Sequence, residues 1–584
     1  IFFSNMPNKP VPNPVSTTEG PPGPPSPLFS DKWAVDTQQF SPLKVETEYF
    51  GSDSVNTVGP PPPVSPSPSV SASASSLDND SFGYDYLQMI LSARVYDVCI
   101  ETPLTLATAL SATSGNNVYF KREDMQPVFS FKCRGSYNKM VNMTDEEKQK
   151  GVVACSAGNH AQGVALAAKK LGIKATIFMP LITPSIKWEA VDRLGAEVRL
   201  EGADFDSAKQ ACMKLAEETG RLLIHPFDDP LVIAGNGTIG MEIMKQIPNK
   251  ELDAIFVAIG GGGIAAGICA YVKRIFPKVK VIGVETVDAC AMTHSLEEGH
   301  RVEEKSVGLF ADGAAVRLVG AETFRVCQQL LDGTVLVTND ELCAAIKDAF
   351  ADTRVVLEPA GALGIAGAKK YIEQHNLQGK TVVAVTSGAN MNFSRLKFVA
   401  ERADLGEGLE ALFTVRIPER PGAFNELYAA LSQWNVTKFS YRYENPDHAF
   451  IFLGLKLTNH ADQELIIPRL AEKGMEATDL TNNELAKAHM QHIVGGRSVV
   501  EHERLLRFTF PEKPGALKYF LRCLKMQWNC SMFHYRNIGG DVASVLVGLQ
   551  VPPGDNDSFQ TFASTLGFPY VDETSNVVYS QFLR

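Results

Sequence analysis

Although the chain carries ten cysteines, none are paired at C-x-x-C spacing, and no His/Cys cluster stands at the spacing of a sequence-encoded metal site. Thiols scattered without a frame indicate a reducing compartment and packing roles, so neither a disulfide scaffold nor a metal is expected. Positive charge is also short. Lys and Arg number 55 against 66 Asp and Glu, a net charge of −11, which argues against nucleic acid or an anionic membrane surface as partner. No uninterrupted apolar span is present. Ala254 to Val272 carries no charge, but four glycines, Gly260 to Gly263, break it in the middle. A strand, a tight turn and a buried helix are expected there, not a membrane crossing. No arginine precedes Arg94, so the Pro/Ser-rich segment 1–80 does not read as an Arg-rich transit peptide. Runs such as Gly59-Pro-Pro-Pro-Pro63 have little to bury, and a disordered leader remnant or linker is expected.

The remaining composition, 45% apolar and 21% charged, is that of a soluble globular protein, and 584 residues are enough for roughly three or four domains. Over 81–394, short apolar runs alternate with helical patterns. Val152-Val-Ala-Cys155, Ala175-Thr-Ile-Phe178, Ala254 to Ile259, Val279 to Glu285 and Thr381 to Thr386 are expected strands. Strands interleaved with helices predict an α/β fold with a largely parallel sheet and a ligand at the carboxyl ends of its strands. A charged stretch over 395–410 predicts a connecting helix. Beyond it Leu412-Phe-Thr-Val-Arg-Ile-Pro-Glu-Arg-Pro-Gly422 recurs as Leu505-Leu-Arg-Phe-Thr-Phe-Pro-Glu-Lys-Pro-Gly515. At nearly the same offset Phe439-Ser-Tyr-Arg442 recurs as Phe533-His-Tyr-Arg536. Residues 411–490 and 491–584 are therefore two copies of an α+β unit, each reading strand, Pro-Gly turn, helix, strand, strand.

Five motifs carry the chemistry. Pro127-Val-Phe-Ser-Phe-Lys132-Cys-Arg-Gly135 sets a lysine among small and aromatic neighbours. If they desolvate its amine, its pKa falls and it becomes a Schiff-base nucleophile; otherwise it is a surface lysine. Ser156-Ala-Gly-Asn-His160 lies between a strand and a helix, and its small residues permit close backbone approach. Gly260 to Gly263 also joins a strand to a helix, at Ile264, and can cradle a phosphate, but it lacks the G-x-G-x-x-G order and the Walker lysine. Ser387-Gly-Ala-Asn390 ends a strand with a hydroxyl at the same rim, and Glu358-Pro-Ala-Gly-Ala362 adds a carboxylate. Each alone is compatible with a structural turn.

Together and in this order the motifs resemble the fold type II (tryptophan synthase β-like) pyridoxal phosphate enzymes. Within them, from about Tyr84 to Arg584, the chain is similar to the biosynthetic threonine dehydratases. Glu101-Thr-Pro-Leu104, Gly235-Asn-Gly-Thr238 and Phe310-Ala-Asp-Gly313 extend the likeness, and the C-terminal copies resemble ACT-like regulatory domains. The wording around Val95-Tyr-Asp97 and Phe533 to Arg536 is most like plant members, which implies a plastid location. The resemblance implies pyridoxal 5'-phosphate on Lys132 beside Phe131, with its phosphate on Gly260 to Gly263 and Ile264. Asn159 would meet the ring hydroxyl, Ser387 the ring nitrogen, and Glu285 would also join the cofactor site. Ser156, Ala157, Asn159 and His160 would hold the substrate carboxylate. Ala157 replaces the serine that serves the opposite substrate face in serine racemases, so racemisation is disfavoured.

The implied reaction converts L-threonine, and L-serine less well, to the 2-oxoacid and ammonia. Isoleucine, or valine, would act at Tyr441, Tyr535 and Arg536, in a homotetramer. His489-Met-Gln491-His492 departs from the family's His-x-Arg-Tyr, leaving a feedback-insensitive degradative or defensive deaminase as an alternative. An amino-acid sensor with an inert catalytic scaffold is the reading from another class.

Overall fold

The computed structural model describes residues 83–420, 423–441, 447–459, 461–490, 500–511, 516–524, 528, 530–537 and 542–584. Two sheets build the part from Leu104 to Val385. In the larger the strand order is Leu104–Leu106, Asn117–Lys121, Thr381–Val385, Ala254–Ala258, Lys280–Thr286, Gly333–Val337, and only the first pair is antiparallel. The smaller is wholly parallel, in the order Glu197–Leu200, Ala175–Met179, Val152–Cys155, Leu222–Leu223. Every residue of Val152–Cys155, Ala175–Met179 and Ala254–Ala258 is buried, which is why these strands read as continuous apolar runs. The charge-free stretch that begins at Ala254 resolves into strand Ala254–Ala258, a glycine turn and helix Gly263–Ile275. Among the described residues no helix is long and apolar enough to cross a membrane.

Glycines let the helices around the site meet backbone to backbone. A Cβ on Gly267 would lie 2.5 Å from the Ile233 carbonyl oxygen, so helices Pro230–Gln246 and Gly263–Ile275 cross at contact distance. A Cβ on Gly235 would lie 2.7 Å from the Arg134 carbonyl oxygen, which seats helix Lys132–Val141 on the same partner. Four buried charges fasten this junction. Arg134 bonds Glu123 at 2.7 Å and Glu242 at 2.6 Å, and Lys121 bonds Glu242 at 2.6 Å. The set is neutral overall and heavily hydrogen-bonded, the condition under which buried charge is tolerated.

The connecting helix spans Leu396–Gly406, within the expected stretch. Beyond it the two repeats have the same antiparallel order: Asn435–Tyr441, His448–Lys456, Glu410–Pro418, Glu476–Asp479, then Cys530–Asn537, Val542–Gln550, Glu503–Pro511, Tyr570–Asp572. Even an irregularity recurs, at Val436/Lys438 and at Cys530/Met532. Each copy holds a further helix, Ala461–Ala471 or Asn556–Leu566, and a fourth strand that the sequence pattern did not predict. Pro468 interrupts the first of these helices and the last strands are short with mostly exposed residues, whereas Asn556–Leu566 carries a helical period in Phe559, Phe562, Ala563 and Leu566 that escaped the sequence reading. The expected Pro-Gly turns lie outside the described residues. Leu405, Leu412, Phe452, Leu485, Leu505, Leu546 and Tyr579 form one apolar cluster joining the two repeats.

Candidate active site

Two loops zip together to present the lysine. Phe129 takes a left-handed backbone conformation (φ 54°), a strained choice for a bulky residue. The bonds around it enforce that choice: Phe131 N–H donates to the Ser387 carbonyl at 3.2 Å, Ala389 N–H to the Phe129 carbonyl at 2.9 Å, and Asn390 Nδ2 to the Val128 carbonyl at 2.8 Å. Helix Lys132–Val141 starts there, and Gly163 of the facing helix would put a Cβ 3.0 Å from the Lys132 carbonyl. Lys132 Nζ donates to the Pro226 carbonyl at 2.9 Å and lies 5.2 Å from the centre of the Phe131 ring. Burial lowers its pKa to about 8, against an opposing pull from Glu358.

A chain of side chains leads away from the lysine. Asn390 Nδ2 donates to Asn159 Oδ1 at 2.7 Å, and Asn159 Nδ2 donates to Glu358 Oε1 at 2.5 Å. Burial first, and then the nearby Asp312, raises the Glu358 carboxyl to about 7. Asp312 is half-buried, and Lys187 at 3.0 Å and Arg395 at 3.3 Å hold its carboxyl below the usual range. The motifs at 159, 310–313, 358–362 and 387–390, hundreds of residues apart, thus form one cluster. Ser387 is buried and its Oγ donates to the Ala360 carbonyl at 3.3 Å.

Gly260 to Gly262 follow strand Ala254–Ala258, and Gly262 (φ 94°) enters helix Gly263–Ile275 in the left-handed region. A Cβ on Gly261 would fall 2.2 Å from the Phe227 ring, and one on Gly260 3.0 Å from Ala314 Cα. Thr323 Oγ1 anchors the Gly261 carbonyl at 2.6 Å, and Ile264 is buried behind the turn. Phe227, and Pro226 as acceptor for Lys132, escaped the sequence reading. The only signal was the turn-forming His225-Pro-Phe-Asp-Asp-Pro230.

Ser156 and Ala157 are half-buried at the mouth of the loop, and Ser156 Oγ accepts from Gly158 N–H at 3.2 Å. Two expected site residues spend their side chains on neighbouring backbone groups. His160 turns inward: Nε2 donates to the Ile224 carbonyl at 2.8 Å, Nδ1 faces Ser136 Oγ at 3.4 Å, and burial drives its pKa down to about 3. Its ring is a neutral support for the loop. Glu285 spends both oxygens on the start of helix Ala291–Glu298, accepting from Met292 N–H at 3.0 Å and from Thr293 N–H at 2.8 Å. Burial raises it to about 7, and it caps that helix, whose Met292 packs against Gly262. Tyr441 and Tyr535 occupy equivalent strand positions, opposite Ile451 and Val545, with Arg536 opposite Ser544. Their side chains, like Gln491 and the Gly495-Gly-Arg497 that follows it, lie outside the described residues.

The donor set fits an aldehyde cofactor bearing a phosphate. A desolvated amine can take the carbonyl, glycine amides at the start of a 13-residue helix suit a phosphate, and a buried neutral hydroxyl suits a ring nitrogen.

Comparison with known proteins agrees. Residues 95–388 match the family model of pyridoxal-phosphate dependent enzymes, and 401–490 and 494–583 each match the C-terminal regulatory domain of threonine dehydratase. The chain is 53% identical to the mitochondrial threonine dehydratase of Schizosaccharomyces pombe over 86% of its own length and 84% of that protein. It is 50% identical to the chloroplastic threonine dehydratase 1 of Solanum lycopersicum, over 85% and 82%. Processed threonine deaminase isoform 2 of Solanum lycopersicum superposes with a TM-score of 0.55 at 52% identity, covering 56% of this chain and 94% of that one. Maize serine racemase gives 0.50 at 32% identity, over 54% and 96%. Bacterial, mitochondrial and chloroplastic relatives match about equally well, so no lineage is singled out. With its catalytic part and both repeats accounted for, the chain belongs to the biosynthetic threonine dehydratases, pyridoxal-phosphate-dependent lyases of fold type II.

Proposed function

We propose that the chain converts L-threonine, and L-serine more weakly, to the 2-oxoacid and ammonia, opening isoleucine synthesis, with Lys132 as the reacting amine. The carrying observation is that desolvated amine beside the Phe131 ring, at the junction of the 127–135 and 387–390 loops. Pyridoxal phosphate would be held by Lys132, Gly260 to Gly263 and Ser387, and would supply an electron sink that acidifies the substrate α-carbon. The depressed pKa leaves a usable fraction of Lys132 Nζ neutral near pH 7 to 8, able to take the α-proton. Backbone amides of Ala157 and Asn159, at a helix start, would orient the substrate carboxylate. Ser387 is a neutral partner, which favours prompt loss of the β-hydroxyl over transamination. The products, 2-oxobutanoate and ammonia, follow once water replaces nitrogen at the α-carbon. Lys132→Ala should abolish both the cofactor's visible absorbance and turnover; normal 2-oxobutanoate formation by that variant would sink the assignment of Lys132.

The duplicated domain supports control by isoleucine, with valine as a second ligand, at Tyr441, Tyr535 and Arg536 in a homotetramer. A rate titration decides this: a flat response to isoleucine leaves the chemistry intact and removes the regulation. A plant-type chain in the plastid rests on the wording around Val95 and Phe533, and import of a fluorescent fusion into isolated chloroplasts tests it.

A further inference from the structure

We infer that Cys290, His294 and Glu304 form a binding site for a borderline-soft divalent cation, zinc above all, on the wall of the catalytic part. No metal was expected from the sequence, which has no C-x-x-C and no His/Cys cluster at the spacing of a metal site; Cys290 and His294 are a single pair four residues apart, and the fold brings Glu304 to them. Cys290 is the residue before helix Ala291–Glu298, and His294 lies one turn further on, its N–H bonded to the Cys290 carbonyl at 3.1 Å. The i, i+4 spacing puts both side chains on one face. Cys290 Sγ is 3.6 Å from His294 Nε2. Two ligands at tetrahedral zinc, with bonds of about 2.3 Å to sulfur and 2.0–2.1 Å to nitrogen, stand about 3.6 Å apart. Sγ also lies 4.0 Å from Nδ1, over the face of the ring, so the separation suits one ion once the imidazole turns about its Cβ–Cγ bond to aim Nε2 at it.

Glu304 orients the imidazole from outside. Its Oε1 is 2.5 Å from His294 Nδ1, and one ligand atom from each of the three residues lies within 4.8 Å of the other two. A carboxylate accepting from Nδ1–H fixes the tautomer that leaves Nε2 free for metal, the usual outer partner of a zinc-bound imidazole. Sulfur plus imidazole selects zinc or its soft neighbours over magnesium and calcium, which take oxygen. Cys290 is buried whereas the His294 side chain is 45% exposed, so an ion can enter from solvent. The ion would tie the helix capped by Glu285 to the segment 300–319. That segment carries Asp312 and Gly313 beside Glu358, and Ala314 against Gly260. Occupancy would stiffen one wall of the active site.

The test uses chelator-treated holoenzyme titrated with zinc against a chromogenic zinc indicator. One zinc per protomer is expected, bound more tightly than about 50 μM. Cys290→Ser and His294→Ala should each weaken it at least tenfold, and Glu304→Gln about tenfold. Cadmium should add a thiolate-to-metal ultraviolet band that Cys290→Ser abolishes. Retained cofactor absorbance in each variant would show that it has folded. Binding weaker than about 50 μM, or zinc held equally by the wild type and both ligand variants, would overturn the site.

Discussion

At the scale of single residues, the behaviour of Lys132 is a contest between burial and Glu358. Burial favours the neutral amine and brings its pKa to about 8, while the carboxylate of Glu358 favours the charged form. Loading of pyridoxal phosphate onto apoenzyme needs the neutral amine. Its rate should therefore rise about tenfold per pH unit below the midpoint and flatten above about 8. Glu358→Gln removes the opposing charge, so the midpoint should move to lower pH, read by stopped-flow absorbance. A midpoint that stays put in the variant would show that Glu358 does not act on the lysine. The linkage has a definite sign. A lysine pKa lowered on folding costs the apoenzyme stability below about pH 8, and the cost fades as pH rises towards the unfolded value of 10.5.

The element that matters most is helix Lys132–Val141, because Arg134 fixes its place. Arg134→Ala would strand Glu123 and Glu242 as buried carboxylates with only Lys121 between them. A loss of about 3–5 kcal/mol is expected in denaturant unfolding, with the cofactor bound more weakly as Lys132 shifts. A loss under about 1 kcal/mol would mean that water reaches the network. A second element-scale test is Gly267→Ala, whose methyl would meet the Ile233 carbonyl oxygen at 2.5 Å. Overpacking of this kind costs about 1–3 kcal/mol, read as a lower unfolding midpoint with little change in slope. Elements of this kind divide by how far they could be read in advance. Ala175–Met179, Ala254–Ala258 and Thr381–Val385 were legible to within about a residue, since buried runs end where glycine or polar turn residues begin. Helix Ala461–Ala471 was not, because Pro468 interrupts its pattern. In the site, Lys132, Asn159 and Ser387 stood out through their motifs. The inward turn of His160 and the capping role of Glu285 depend on Ile224 and on Met292 and Thr293. Such partners are set by the direction of a side chain within the fold, which no sequence period records.

Across the whole molecule, helix Leu396–Gly406 touches both the catalytic core and the regulatory core. Val399 and Ala403 pack into the cluster beneath the larger sheet, while Leu405 packs into the cluster that both repeats share. A charge cluster reinforces the joint. Asp340, from the catalytic part, accepts from Arg402 at 2.8 Å and from Lys487, in the first repeat, at 2.6 Å. Glu484 bridges the same two cations, at 2.7 Å each. Its side chain is half-exposed; partial desolvation would raise its pKa, but Arg402 and Lys487 prevail and hold it at about 2. Its ion pairs therefore contribute fully above pH 4.5 and are lost only as pH falls towards 2. If isoleucine acts through the repeats, its signal must cross this joint, and Asp340 is the carboxylate that meets both sides of it. Asp340→Asn leaves the lysine site untouched, so basal turnover of threonine should stay within about twofold. The isoleucine concentration for half-inhibition should rise about tenfold, inside the 5–150-fold range of ordinary coupling energies. An unchanged titration in a variant with normal basal turnover would mean that the signal crosses through the apolar contacts of Leu405 alone.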